Sequence, residues 1–173
     1  MNGLLRYECS PMTKAEYNQC VDLYSDGLFR FLLKNFPDYR EDAEDIVQNA
    51  FATLWINIEK VEPPKAKSYL FTVGYRDMID LTRKMSRQDK LTEKHHYIPG
   101  NQKGYTGLKE ILDEALQQLP EIQRTVVLLR DYEGYDYDSI GELTGLHASQ
   151  VKVYIFRARQ ALKAYLVGVE KLI

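Results

Sequence analysis

Several things are scarce in this 173-residue chain, and each scarcity excludes something. It has two cysteines, Cys9 and Cys20, at a spacing that matches no metal-ligand or redox pattern. A disulfide framework is therefore not expected, and a reducing, cytoplasmic compartment is. No run approaches the roughly 18 apolar residues of a membrane span, so no membrane insertion is expected. The opening stretch MNGLLRYECSPM holds one arginine, an early acid and no apolar core, so a secretory leader is not expected either. Three histidines cannot furnish much metal chemistry, and the pair His95-His96 sits in a polar stretch without partner ligands. No cofactor or metal is expected. Alternating apolar-polar runs are missing too, so no strand is expected, and no internal repeat stands out.

What the chain does have is helical periodicity and segregated charge. The net charge is only -2, but it hides four blocks. Residues 38–62 carry a net of -5, residues 65–90 a net of +4, and residues 108–142 a net of -6. Residues 147–165 then carry four bases and no acid. Any one block can be an ordinary solvated helix face. Four in alternation suggest separate surfaces for a polyanion and for a basic protein partner.

The apolar spacing predicts a fold. Tyr17, Val21, Tyr24, Leu28, Phe31 and Leu32 mark a first helix, with Thr13 as its N-cap and Glu16 completing a capping box. A second helix is expected from about Arg40 to Ile58, buried through Ala43, Val47, Ala50, Phe51, Leu54 and Ile58. After Pro63-Pro64, a third is expected over about Lys67 to Arg87. It buries Leu70, Val73, Gly74, Met78, Leu81 and Met85. Its outer face carries Tyr69, Thr72, Tyr75, Arg76, Ile79, Arg83 and Arg87, a mixture of aromatics and bases. Asp89 to Gly107 loses periodicity and reads as a linker. Leu108 to Leu119 forms an amphipathic helix, and Pro120 starts another that runs to about Arg130. A turn follows at Glu133-Gly134. A short helix spans about Tyr137 to Thr144, Gly145 caps it, and a long helix covers about Ala148 to Val167. The fold class expected is all-α: two small helical domains joined by a flexible linker. The domains are residues 1–90 and 108–173, with the linker at 91–107.

A short helix, a glycine-containing turn and a longer helix describe a helix-turn-helix. In the longer one, Val151, Ile155, Ala158 and Leu162 face inward. Ser149, Lys152, Val153, Phe156, Arg157 and Gln160 face outward. Reading a major groove requires polar tips for base edges, an apolar group for thymine methyls and cations for phosphates. That outward face has all three. A helix that only packs on its neighbours has little reason to expose Phe156 between bases.

The stretch YDYDSIGELTGLHASQVKVYIFRARQAL resembles the carboxy-terminal domain of bacterial sigma factors, and LDEALQQLPEIQRTVVLLRDYEGYDY resembles its lead-in helices. DAEDIVQNAFATLW resembles the polymerase-binding helix of sigma domain two, and SYLFTVGYRDMIDLTRK resembles the promoter-melting helix that follows it. The gap between them is too short for a middle sigma domain. The order and spacing are similar to those of extracytoplasmic-function sigma factors of the sigma-70 family.

This resemblance implies a non-enzymatic factor. It would bind core RNA polymerase, direct it to promoter DNA and help open the strands, and it would be held in check by an anti-sigma factor. It implies that Asp45, Gln48, Asn49 and Trp55 contact the polymerase clamp. It places Tyr69, Thr72, Tyr75, Arg76, Ile79 and Arg83 on the minus-ten, melting face. It gives Ser149, Lys152, Val153, Phe156 and Arg157 to the minus-thirty-five element. Glutamate is common in the family where Asn49 stands, and asparagine where Arg76 stands. Serine and arginine are commoner at Val153 and Tyr154. Two other readings compete. A helix-turn-helix regulator that binds duplex operator DNA without polymerase would not use the aromatic-basic face from Tyr69 to Arg83. A metal hydrolase built on Asp42, Glu44 and Asp45 lacks a ligand from any second element.

Overall fold

The computed structural model describes the backbone of residues 11–92 and 107–170 and the side chains of 11–87 and 107–168. Among these residues every element is helical. In order they are α1 (Lys14–Asn35), α2 (Arg40–Ile56), α3 (Ala66–Thr92), α4 (Leu108–Gln117), α5 (Glu121–Val127), α6 (Tyr137–Thr144) and α7 (Ala148–Glu170). Most of the expected linker, with His95 and His96, lies outside the described residues, as does Cys9.

The start of α1 follows from its sequence. Thr13 Oγ1 accepts a bond from the Glu16 N–H at 3.2 Å, and the Glu16 carboxylate accepts one from the Thr13 N–H at 2.8 Å. The expected capping box is present, and it holds the Glu16 carboxyl below its ordinary value. α1 to α3 form the first half. Leu28, Leu32, Leu54, Leu70, Phe71 and Met78 are fully buried there. Each such side chain contributes about 1.5–3 kcal/mol relative to exposure. Gly74 lets α3 approach α1 closely, since a Cβ there would sit 3.0 Å from Leu28 Cδ1. Ile46 is buried on α2 although its sequence stripe omitted it. Cys20 is buried, and burial pushes its thiol up.

The second half, α4 to α7, departs from expectation at one place. The helix after Pro120 does not run regularly to Arg130. α5 stops at Val127, and Leu128–Tyr132 widen into a π turn that keeps Leu128 and Leu129 both buried. Leu108, placed on the buried stripe of α4, is 70% exposed. The fold class expected from sequence is otherwise present. The two halves touch: α1 packs on α4 and α5, α3 packs on α6, and the buried apolar residues form one connected cluster.

Candidate nucleic-acid interface

The helix-turn-helix is assembled by three local devices. Asp136 Oδ1 accepts the Ser139 N–H at 2.7 Å and caps α6, which holds the Asp136 carboxyl below its ordinary value. Gly145 ends α6 in the left-handed region, with φ of 77°. Gly141 lies where its Cβ would stand 2.6 Å from the Leu146 carbonyl oxygen, so the turn packs backbone against backbone. At the start of α7 the His147 N–H donates to Gln150 Oε1 at 3.0 Å.

α7 then divides as its sequence implies. Val151, Ile155 and Ala158 are buried, and Leu162 is half-buried. Ser149, Lys152, Val153, Phe156 and Arg157 are all exposed, with Phe156 at 63%. Ser149, Gln150, Val153, Tyr154 and Arg157 line an open groove on this surface. Another cation of that stretch, Arg159, does not share the face. It bonds the Asp131 carboxylate through Nε at 3.1 Å and Nη2 at 2.5 Å, bracing α7 against the π turn.

The second expected surface, on α3, is only partly open. Arg76 and Arg83 are exposed, while Tyr69, Thr72 and Ile79 are half-buried. Tyr75 corrects the sequence reading: it is 7% exposed and belongs to the core, its ring 6.4 Å from that of Phe31. Burial raises its phenol above the ordinary value, with the Thr125 hydroxyl opposing. Phe71, absent from both expected faces, is fully buried between Phe31 and Tyr135. The cause is geometric: α3 is covered on one side by α1 and α2 and on another by the second half. Met85 corrects in the other direction: at 37% exposure it is solvated. Beside Thr72 and Arg76 a cleft of about 220 Å³ opens, closed on its far side by Tyr135, Ser139, Glu142 and Leu143.

On α2, Asp45, Gln48 and Asn49 are exposed and Leu54 is core. Asn49 is engaged within the molecule, its Nδ2 donating to Asp77 Oδ2 on α3 at 2.7 Å. Trp55 is 43% exposed and rests edge-on against Tyr17, ring centroids 4.9 Å apart. Sequence reasoning missed Lys67. Its ammonium lies 2.8 Å from the Glu133 carbonyl oxygen, 3.1 Å from its carboxylate, and about 5 Å from the rings of Phe71 and Tyr135. Among the described residues no cluster of His, Cys, Asp and Glu stands ready to hold a metal, and Glu44 lies 3.9 Å from Arg40 on its own helix. No helix among them is long and apolar enough to cross a membrane.

Two helical units stand in this order, one ending in the long helix α3 and the other in a helix-turn-helix. The Sigma-70 region 2 family model matches residues 20–88, and the Sigma-70, region 4 model matches residues 109–162. The chain belongs to the sigma-70 family, as a sigma factor of the extracytoplasmic-function type. It is 27% identical to the ECF RNA polymerase sigma factor SigM of Bacillus subtilis, over 85% of this chain and 93% of that one. It is also 27% identical to RNA polymerase sigma factor SigV of the same organism, over 89% and 93%. The fold is similar to that of the sigma factor RpoE in its complex with the anti-sigma factor NepR from Bartonella quintana. That likeness has a TM-score of 0.73 and 24% identity, over 87% of this chain and 96% of that one.

Proposed function

We propose that this chain binds core RNA polymerase, directs it to specific promoters and helps open the DNA, acting as an initiation factor and not as an enzyme. The observation that carries this is the pairing of the two matched sigma regions, in order, with an exposed polar, basic and aromatic face on the recognition helix. A regulator that binds duplex DNA alone has no use for the first region and is not favoured.

The residue roles belong to the same proposal. Asp45, Gln48 and Trp55 form an exposed acidic and aromatic surface suited to a basic clamp. Asn49 serves that surface from inside, holding Asp77 so that α2 and α3 keep their relative position. Arg76 and Arg83, with Tyr69, Thr72 and Ile79, hold the melted strand, since cations grip the backbone and aromatic faces replace lost stacking. Ser149, Lys152, Val153, Phe156 and Arg157 read the minus-thirty-five duplex. The work is done in the cytoplasm, where polymerase and promoters are. In two similar structures the sigma factor RpoE is bound to the anti-sigma factor NepR, and CnrH to the cytosolic domain of CnrY. They support an inhibitory partner for this chain too.

The charge pattern then has a functional sense. Non-specific DNA affinity rises with the number of phosphates neutralised. A chain of net charge -2 binds DNA weakly on its own and strongly once polymerase supplies the remaining cations. The test is transcription from a promoter library by core polymerase with and without the chain, with start sites mapped. Specific start sites that appear only with the chain are expected. Equal initiation in its absence, or operator binding unaffected by polymerase, would overturn the reading.

A further inference from the structure

Two rows of polar side chains face each other between α3 and α6. Ser68, Thr72 and Arg76 recur every four residues on α3, so they stand along one line of about 12 Å. Tyr135, Ser139 and Glu142, with Leu143, form the opposite wall of a cleft of about 220 Å³. Each row runs from hydroxyls to a charge, a cation on one wall and an anion on the other.

Three observations show polar groups here that the chain itself does not satisfy. The first is the Tyr135 hydroxyl. Tyr135 is 8% exposed, and its oxygen is buried without a hydrogen-bond partner among the described residues. Burial pushes its phenol up; the Ser68 hydroxyl beside it opposes that rise but closes no bond. A buried O–H left unpaired is costly, and folded proteins rarely keep one without a bound molecule or an ordered water to accept it. The second is Thr72. Thr82, Thr125 and Thr144 each turn their hydroxyl back on a carbonyl of their own helix, at 2.9, 3.0 and 2.7 Å. The Thr72 hydroxyl makes no hydrogen bond among the described residues and is left to the cleft that it lines. The third is the charged pair. Arg76 and Glu142 both line the cleft, yet neither forms an ion pair among the described residues. At the same junction Lys67 does pair with Glu133.

These groups select a ligand by exclusion. An inorganic anion at Arg76 would meet Glu142, and a simple cation at Glu142 would meet Arg76. A metal ion would find a single carboxylate, where calcium takes about six to eight oxygens. Drug-sized ligands fill about 300–1,000 Å³, more than this cleft offers. A small molecule with both charges at one end and a polar tail satisfies both walls. Ser68 stands beside Tyr135, so those two mark one end of the cleft. Arg76 and Glu142, each further along its row, mark the other.

We propose that this cleft binds a free α-amino acid with an uncharged, hydrogen-bonding side chain. Its carboxylate pairs with Arg76 and its ammonium with Glu142. Its side chain bonds Thr72, Ser139 and the Tyr135 hydroxyl. The site belongs to the chain alone and does not rest on the function proposed above.

The test is an amide chemical-shift titration of the full chain without DNA or polymerase. The probes are L-glutamine, L-asparagine, L-serine and L-threonine. At least one should give saturable shifts on both walls, around Thr72 and around Ser139. N-acetylation of that amino acid removes its cation and should weaken binding about tenfold or more, and Glu142→Gln should weaken the parent amino acid by a like factor. Tyr135→Phe is the sharper variant, because it deletes one unpaired oxygen and keeps the ring. Without ligand its melting temperature should equal or exceed that of the wild type, while its affinity for the amino acid should fall. A lower melting temperature would show that the hydroxyl already has a partner, and would overturn the proposal. So would shifts that saturate for none of the four probes, shifts confined to one wall, equal affinity for the acetylated form, or unchanged affinity in either variant.

Discussion

The two helices proposed to face DNA, α3 and α7, differ in how those faces are packed. α7 carries its reading face on bare solvent, supported from behind by Val151, Ile155 and Ala158. α3 is sandwiched, and Leu70, Phe71, Gly74, Tyr75 and Met78 are all buried along more than one side of it. The lesson is that a helix whose neighbours, here α4, α5 and α6, leave one face bare can divide its residues cleanly between scaffold and surface. A helix covered on more than one side draws residues of its expected outer face into the core, and Tyr75 is such a residue.

The largest effect that tests this contrast is on stability. Tyr75→Ala removes a buried ring and should cost about 3–5 kcal/mol, as large-to-small aromatic changes in cores do. Phe156→Ala, on a 63% exposed ring, should leave stability within about 0.5 kcal/mol. Paired urea titrations check both, and similar losses in the two variants would break the comparison.

Next in size is polymerase binding. Asp45→Arg with Gln48→Ala should weaken the complex by about 1.5–3 kcal/mol through loss of charge-assisted contact. The melting curve should barely move, since both side chains are exposed. A core-binding titration that shows no change would remove α2 from the clamp surface.

Arg157→Ala and Arg76→Ala sharpen the contrast further. If Arg157 grips a base edge, its loss should cost about 1–3 kcal/mol in promoter recruitment. A template with a pre-melted bubble should not restore activity. Arg76→Ala should slow opening, and the same bubble should rescue it. Rescue of both, or of neither, would mean that the two helices do not divide duplex reading from strand holding.

The smallest expected effect is at the brace behind α7. Asp131→Ala frees Arg159 from a half-exposed ion pair and should cost about 0.2–1 kcal/mol. If it changes promoter preference more than stability, the brace aims the reading helix.

Much of this was visible in the sequence where structure is local. The Thr13–Glu16 box and the Gly145 stop each depend on residues a few positions apart, and both are present; the Asp136 cap, equally local, was not read. The outward face of α7 was legible because nothing covers it. The misses share a cause. Periodicity places residues on an arc but says nothing about how many neighbours the helix has, so Phe71 went unseen and Tyr75 was placed outside. The π turn at Leu128–Tyr132 inserts a phase change that a regular helical stripe does not show. Arg124 is one of three bases in the acidic stretch 108–142, and nothing in the sequence singles it out. Its main partner, Asn35 O, lies 89 residues away, and no local pattern announces that bond.

Gly141 has a consequence for how such a protein changes its target. The angle between α6 and α7 is set by backbone meeting backbone, with no side chain interposed between Gly141 and the Leu146 carbonyl. Residues on the outside of α7 can therefore be exchanged without retuning the joint that aims them. The protein carries its address on replaceable type set in a fixed frame. A library randomised at Lys152, Val153, Phe156 and Arg157 should yield folded members at high frequency, with altered promoters among them, while Gly141→Ala alone should spoil the fold of the frame.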